Sequence, residues 1–191
     1  MLFSISNIND FTEALLNAEL QHMSLKQREY INAKRKTLFR HQSIASRILL
    51  KNLLSEYNID DGYNIDFDAN GKPFYRGSKE IYVSLSHSGD FVAAAVSEKP
   101  VGIDIQVFKN VSDRLINKTC TATEKKYIFQ NNKNLFFKFW TLKEAYAKCN
   151  KMKLSQVFKC SFIDGGVFNI EGCNIQFKGN DLYELAIVEK M

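Results

Sequence analysis

Apolar residues follow two different periods along this chain, and each period predicts a different kind of element. In the first third they recur at helical spacing and predict a helical region over 25–57, in one piece or broken, after a short helix over 10–18. Residues 86–90 then form a predicted hairpin connection within an antiparallel meander. The three predicted strands of this meander are 81–85, 91–96 and 101–107.

The second half of the chain repeats this order of elements without repeating the residues. Two helical patterns, 121–130 and 134–150, come before four short strand patterns: 157–163, 167–170, 174–178 and 183–188. Helices followed by a small sheet therefore occur twice, which predicts an α+β fold of two lobes, each with helices packed on a small antiparallel sheet. We expect one lobe over 1–100, a second over 101–191, and a cleft between them.

Length and composition are those of a globular chain, with 191 residues of which 45% are hydrophobic. No apolar run reaches about 18 residues, so we expect no transmembrane helix. The first residues lack the basic and apolar regions of a signal peptide. The four cysteines have the spacing of neither a zinc site nor a tight disulfide framework, so reduced thiols in a cytoplasmic protein are the simplest interpretation.

The net charge of +5 is concentrated in one segment, 26–51, which contains few acids. Such a patch favours an anionic partner: nucleic acid, a phosphorylated cofactor or an acidic protein. Four polar side chains of this segment recur at steps of three or four residues and share one stripe of the predicted helix: Arg40, Ser43, Arg47 and Lys51. The charge pattern is equally compatible with a solvated helix face.

Two oxygen-bearing side chains share one face of the third predicted strand. Asp104 and Gln106 lie two positions apart, so both project to the side opposite Ile103 and Ile105. Mg²⁺ takes oxygen ligands, usually one or two carboxylates together with substrate phosphates. The pair therefore predicts half of a hard-metal site, unless Asp104 is a strand-end acid that faces water.

A second acid lies on the predicted helix 134–150. Trp140, Glu144 and Lys148 are spaced four residues apart on one face, with Lys143 beside them. The segment is either a surface Glu–Lys pair or a second metal carboxylate flanked by two phosphate-binding lysines. The spacing alone does not decide between these interpretations.

A histidine lies between two serines in the predicted hairpin connection. Serines in turns commonly bond the local backbone, and His87 either faces solvent or donates a hydrogen bond to a phosphate. Lys72, in the turn predicted over 69–73, is a cation that can add to such a site.

Four short motifs in a fixed order closely resemble the 4′-phosphopantetheinyl transferases. They are Gly-Lys-Pro at 71–73, Ser-Leu-Ser-His-Ser at 84–88, Gly-Ile-Asp-Ile at 102–105 and Trp-Thr-Leu-Lys-Glu-Ala at 140–145. The likeness is to the surfactin-synthetase-activating (Sfp-like) type, and to its subgroup with Trp and Lys-Glu-Ala in the last motif. It extends from about Arg40 to Leu154 and implies two pseudo-symmetric α+β lobes with the active site at their junction.

The resemblance also implies an activity. The phosphopantetheine arm of coenzyme A would pass to a serine of an apo carrier protein, adenosine 3′,5′-bisphosphate would leave, and Mg²⁺, or alternatively Mn²⁺, would be required. Lys143 and Lys148 would neutralise the diphosphate, and Glu144 or Glu124 would accept the serine proton. The implied metal ligands are Asp104, Gln106 and Glu144. The implied coenzyme A contacts are Arg40, Ser43, Arg47, Lys72, Pro73, Ser86, His87, Lys143 and Lys148.

Two positions depart from the family pattern. Gln106 stands where many relatives have Glu, so the site has one negative charge fewer and the amide oxygen would reach the metal directly or through water. The segment 151–153, Lys-Met-Lys, replaces a Gly-x-Gly turn and is either a contact for an acidic carrier protein or a different turn.

Two other classes of function compete with the transferase interpretation. A nucleic-acid-binding protein would use the basic segment, but it would leave Asp104 and Glu144 without a role. A degenerate member of the family would bind coenzyme A or carrier protein without turnover. The transferase interpretation predicts a carrier protein of fatty-acid, polyketide or nonribosomal-peptide synthesis as partner, no nucleic acid or membrane partner, and a monomer.

Overall fold

A computed structural model describes residues 1–59, 64–68 and 72–191 of the chain. The chain divides into two compact units, Met1–Glu98 and Lys99–Met191. Each unit consists of helices packed on small antiparallel sheets, so the predicted α+β class is confirmed. No helix among the described residues is long and apolar enough to cross a membrane.

The first unit packs a long helix against a three-stranded antiparallel sheet with strand order β1-β5-β4. The apolar stripe predicted from the sequence, which includes Ile44 and Leu53, faces this core because its residues lie on one side of the long helix α3. The elements are β1 (Leu2–Asn7), a short 3₁₀ helix (Ile8–Asp10), α1 (Glu13–His22), α2 (Leu25–Asn32), α3 (Thr37–Glu56), β2 (Ile65–Phe67), β3 (Pro73–Tyr75), β4 (Tyr82–Ser88) and β5 (Phe91–Ser97).

The second unit packs one helix, α6, across a three-stranded antiparallel sheet with strand order β6-β10-β9. Leu142 and Ala145 of this helix meet Ala186 and Val188 of the central strand in one buried cluster. The elements are β6 (Val101–Val107), α4 (Asp113–Thr119), α5 (Ala122–Gln130), α6 (Leu135–Asn150), α7 (Leu154–Val157), β7 (Ile163–Asp164), β8 (Val167–Phe168), β9 (Cys173–Gly179) and β10 (Tyr183–Lys190).

The predicted meander and one predicted strand are wrong. Strand β4 continues through Ser88, so Ser86 and His87 are strand residues rather than turn residues, and the turn falls at Gly89 and Asp90. Strand β6 pairs with β10 rather than with β5. The predicted strand over 157–163 is mostly not a strand, since α7 ends at Val157 and β7 begins at Ile163. A strand can pair with a strand nearby in the sequence or with one far from it. The local pattern of residues does not show which partner it takes.

The segment after α6 makes its turn without glycine. Lys151 caps the helix in the left-handed conformation, with φ 54°, a position that usually favours Gly because it has no Cβ. The Lys-Met-Lys segment therefore turns without glycine, and its contact with an acidic carrier protein stays a prediction.

Candidate functional site

A glycine brings a strand and a helix of the second unit into unusually close contact. A Cβ atom at Gly102 would lie 1.9 Å from the Ala145 carbonyl oxygen and 2.6 Å from the Cys149 backbone nitrogen, both on α6. Only glycine leaves room for a backbone this near, because its α-carbon carries no side chain. The close approach places the polar residues that follow on β6 beside those on the same stretch of α6.

Asp104 lies on the face of β6 that meets α6, where it is almost fully buried. The ammonium of Lys148, on α6, donates to the Asp104 carboxylate at 2.7 Å and to the Ile103 carbonyl at 2.9 Å. Burial makes such a pair electrostatically stronger than a surface pair, because water screens it less. The fold thus brings Asp104 and Lys148 into direct contact.

Glu144 lies one helical turn before Lys148 and belongs to the same electrostatic group. Burial first, and then the negative charge of Asp104, raise the pKa of its carboxyl to about 7, although the ammonium of Lys148 acts in the opposite direction. Two carboxyls close enough to repel each other, with one cation beside them, form a site that an additional cation would stabilise. A pKa near 7 also suits a group that accepts a proton at neutral pH.

Gln106 lies on the same face of β6 as Asp104, as the strand alternation predicted. Its partner across the β6–β10 pair is Glu184, whose pKa burial raises. Sequence reasoning missed Glu184, because only the pairing of β6 with β10 brings this acid to the same face as Gln106. It is the third carboxyl on this side of the sheet, after those of Asp104 and Glu144.

The oxygen donors of this group fit a hard divalent cation. Asp104 and Glu144 supply two carboxylates and Gln106 an amide oxygen, a set that suits Mg²⁺ when substrate phosphates complete its shell. Among the described residues no group of three or more His, Cys, Asp or Glu side chains is placed to hold a metal by itself. The donors therefore suit a metal that a phosphorylated substrate helps to bind.

Lys143 and Glu124 form a buried ion pair away from Asp104. The Lys143 ammonium lies 2.8 Å from the Glu124 carboxylate and donates to the carbonyls of Thr119, Phe158 and Cys160 at 3.1–3.3 Å. Lys143 is 1% exposed and Glu124 is fully buried. An ammonium has three protons to donate, and protein acceptors take all of them, so the placement is inconsistent with a direct contact between Lys143 and a diphosphate.

Glu124 is also buried and fully engaged in contacts within the chain. It caps α5 by accepting from the Thr121 backbone N–H at 2.8 Å, and its other oxygen accepts from the Phe162 backbone N–H at 3.4 Å. A general base must reach the proton it takes, and a fully buried carboxylate held by a cation and two N–H groups does not. The geometry leaves Glu144 as the better of the two candidate bases.

Ser86 and His87 lie next to each other on β4, so their side chains project from opposite faces of the sheet. Ser86 is buried, while His87 is exposed near the end of the strand. Beside this strand end, the Gln42 amide on α3 donates to the Gly89 carbonyl at 2.6 Å. Sequence reasoning missed Gln42, which joins the predicted basic helix to the β4–β5 turn.

Lys72 and Pro73 lie where β3 begins. The Lys72 backbone N–H donates to the Asp68 carboxylate at 2.9 Å, and the Asp68 N–H donates to the Lys72 carbonyl at 3.0 Å. These two hydrogen bonds join Asp68 to Lys72. Gly71 of the predicted Gly-Lys-Pro motif lies outside the described residues.

The three remaining predicted coenzyme contacts lie on α3 and differ in environment. Arg40 is half-buried and donates to the Thr37 hydroxyl at 3.1 Å. The Ser43 hydroxyl donates to the Phe39 carbonyl at 2.8 Å, as a buried serine in a helix commonly does. Arg47 is buried, and desolvation lowers the pKa of its guanidinium to about 10.

Comparison with known proteins agrees with the resemblance read from the motifs. Residues 100–186 match the 4′-phosphopantetheinyl transferase superfamily. The chain is 32% identical over 121 residues to 4′-phosphopantetheinyl transferase psf-1 of Bacillus pumilus, an alignment that covers 58% of this chain and 52% of the relative. It is 31% identical over 116 residues to 4′-phosphopantetheinyl transferase gsp of Aneurinibacillus migulanus, covering 56% and 47%.

A third relative, a 4′-phosphopantetheinyl transferase of Bacillus subtilis, is 26% identical over 170 residues, which cover 78% of this chain and 76% of the relative. The chain spans about half the length of the first two relatives it matches. The predicted resemblance to the Sfp-like type is confirmed, while the Trp and Lys-Glu-Ala subgroup stays a prediction.

Proposed function

We propose that this chain, whose residues 100–186 match the 4′-phosphopantetheinyl transferase superfamily, is an enzyme that transfers the 4′-phosphopantetheine arm of coenzyme A to a serine of an apo carrier protein. Adenosine 3′,5′-bisphosphate leaves, and Mg²⁺ is required. The observation that carries the proposal is the group of Asp104, Glu144 and Lys148, in which two acids and a cation are held together by the close approach of β6 and α6.

The reaction breaks the phosphoanhydride bond of coenzyme A and forms a phosphodiester bond to serine. The serine oxygen of the carrier attacks the phosphorus that bears the pantetheine, the bond from that phosphorus to the bridging oxygen of the diphosphate breaks, and the bridging oxygen leaves with the nucleotide. The serine hydroxyl gives up its proton, and negative charge accumulates on the leaving diphosphate oxygen. Catalysis of such a transfer depends on positioning and on neutralising that charge.

The residues of this chain divide these tasks. The Lys148 ammonium, which Asp104 and the Ile103 carbonyl orient, neutralises charge on the diphosphate. Glu144 is the group we assign to accept the serine proton or to pass it to water. Asp104, Glu144 and Gln106 would hold the Mg²⁺, which would offset the negative charge of the diphosphate.

Coenzyme A itself is expected on residues of the first unit. Lys72 and Pro73 are assigned to the nucleotide, His87 and Ser86 to a phosphate, and Arg40, Ser43 and Arg47 to the nucleotide end. Lys143, which the resemblance implied as a further coenzyme A contact, is not assigned to it here, because buried acceptors take its three protons. The partner is an acidic carrier protein of fatty-acid, polyketide or nonribosomal-peptide synthesis, and one chain is expected to suffice for one site.

Intact-mass spectrometry of apo carrier proteins mixed with the chain, coenzyme A and Mg²⁺ tests the proposal. A gain of one phosphopantetheine arm on a carrier, lost with a chelator and lost in Asp104→Asn, is the expected result. Asp104→Asn keeps the volume of the side chain, so its circular dichroism should match that of the wild type. Salt-sensitive binding of nucleic acid, with neither coenzyme A binding nor arm transfer, would overturn the assignment.

A further inference from the structure

A buried glutamine of α3 holds the turn at the end of β4. Gln42 is 2% exposed, and its amide nitrogen donates to the Gly89 carbonyl at 2.6 Å, across 47 positions of the chain. Helix and turn are thus joined by a side chain that is shielded from water. A buried hydrogen bond of this kind fixes the end of the sheet relative to the helix.

The turn presents two carbonyls that the sheet does not use. It joins β4 to β5 through Gly89 and Asp90, and Gly89 has φ 54°, a conformation that favours glycine. In a two-residue turn the hydrogen bond connects the flanking residues, so the carbonyls of the central residues point away from the strands. The Gly89 carbonyl accepts from Gln42, and the Asp90 carbonyl accepts from the Ile8 backbone N–H at 2.6 Å. The turn is therefore held from two sides.

His87 lies two residues before this turn, on the face of the sheet that packs against α3. Side chains two positions apart share a face, and Val83 and Leu85 of the same strand contribute to the core that α3 completes. The partner of His87 across the β4–β5 pair is Val92, another residue of that core. The exposed imidazole therefore lies at the rim of the α3 face, where the end of β4 determines its direction.

Packing alone does not account for a glutamine at position 42. Its Oε1 is buried and has no hydrogen-bond partner among the described residues, and a buried polar atom without a partner is destabilising. A methionine would fill a similar volume without such an atom. What the amide of Gln42 provides, and an apolar side chain does not, is the donor to the Gly89 carbonyl.

We propose that Gln42 is a positioning residue for His87, because its amide holds the turn after β4 and thereby sets the direction of the imidazole. A hydrogen bond from an imidazole to a phosphate requires a separation of about 2.7–3.2 Å, so a small shift of the strand end weakens it. The resemblance implied His87 as a phosphate contact and gave Gln42 no role. The positioning follows from contacts within the first unit, while its effect on coenzyme A rests on the proposed function.

Nuclear magnetic resonance of the imidazole groups tests the positioning without any substrate. The chain has three histidines, so the ring signals of His87 are identified by their loss in His87→Ala. Gln42→Met removes the donor at similar volume, and Gln42→Asn keeps the amide but is one methylene too short to reach Gly89. Both should shift the His87 signals. Ser46→Ala is the matched control and should leave them unchanged, because the buried Ser46 hydroxyl donates within α3, to the Ser43 carbonyl at 3.3 Å.

Kinetics test whether this positioning matters for coenzyme A. Gln42→Met should raise the KM for coenzyme A about three- to tenfold, as the loss of one hydrogen bond does, with kcat within about twofold. In the His87→Ala background the same substitution should change the KM less than about twofold, because a residue that acts through His87 has no effect without it. A merely structural role would not give this dependence. Ser46→Ala should leave the KM unchanged.

Two results would overturn the proposal. One is a set of His87 signals that stays the same in Gln42→Met and Gln42→Asn, with both variants shown to be folded by thermal unfolding. The other is an equal rise in KM for Gln42→Met with and without His87, since Gln42 would then act by another route. A wild-type chain that neither binds coenzyme A nor transfers the arm would refute the proposed transferase, whereas shifted His87 signals in the Gln42 variants would still support the positioning.

Discussion

Replacing Gly102 by alanine tests the idea that one close backbone contact holds the candidate site together. The new Cβ would lie 1.9 Å from the Ala145 carbonyl oxygen, whereas ordinary contacts begin at 3.4 Å, so β6 and α6 must separate by about 1.5 Å. Both obstructing atoms belong to helix backbone and cannot rotate away. We expect a loss of at least about 3 kcal/mol in the free energy of unfolding, the upper range for overpacking.

The same separation should damage the proposed activity more than stability alone would. Lys148 reaches Asp104 from α6 at 2.7 Å, and withdrawing the helix by more than 1 Å would break this contact and move Glu144. A misplacement of about 1 Å can cost about 100-fold in rate, so we expect at least that loss in kcat/KM for arm transfer at a temperature where the variant is folded.

Urea unfolding and the transfer assay, run on the same preparations, measure the two effects. Adding Ala145→Gly to Gly102→Ala is the informative control. It removes a side chain but leaves the carbonyl oxygen that causes the clash, so it should not rescue either quantity. Wild-type unfolding free energy in Gly102→Ala, or recovery in the double variant, would refute the reasoning that backbone proximity sets the site.

Three further predictions concern charged groups. Lys143→Met should cost about 3–5 kcal/mol by leaving Glu124 buried and unpaired, and adding Glu124→Leu should recover most of the loss; urea unfolding that shows additive losses instead would rule out a coupled pair. Burial raises the pKa of Glu144 from 4.5 to about 7, so the folded state binds more protons than the unfolded state between those pH values. The wild type should therefore lose stability as the pH rises through this window, by up to about 3 kcal/mol, with metal chelated. Glu144→Gln should lack that slope, and parallel pH profiles of unfolding free energy would contradict the shift. His87→Ala should raise the KM for coenzyme A about tenfold and change kcat less; an unchanged KM would make His87 only a strand-end residue.

Much of the candidate site could be predicted from residues close together in sequence. The alternation of β6 predicts that Asp104 and Gln106 share a face, and the helical spacing of α6 predicts that Glu144 and Lys148 share one. Both are properties of a single element, so the local period determines them. The order of the four motifs was enough to show the resemblance to a family, because that order does not depend on contacts between elements.

Lys143 and Lys148 of α6 have different environments, which the sequence pattern could not predict. Lys143 and Lys148 are five positions apart, which on a helix of 3.6 residues per turn points them to different sides. The sequence did not reveal which side meets Asp104 and which meets the core. Packing decided it: Glu124 and three carbonyls surround Lys143, while the approach of β6 at Gly102 brings Lys148 to Asp104.

The sequence alone determined the α+β class, the apolar stripe of α3, the partition of β6 into two faces and the resemblance to a family. The tertiary structure decided that β6 pairs with β10, that Glu184 comes to lie opposite Gln106, and that Arg47 is buried. The physical reason is the range of the interactions. Periodicity follows from backbone geometry within a few residues, whereas strand partners and the burial of charges depend on chain segments that meet only after folding.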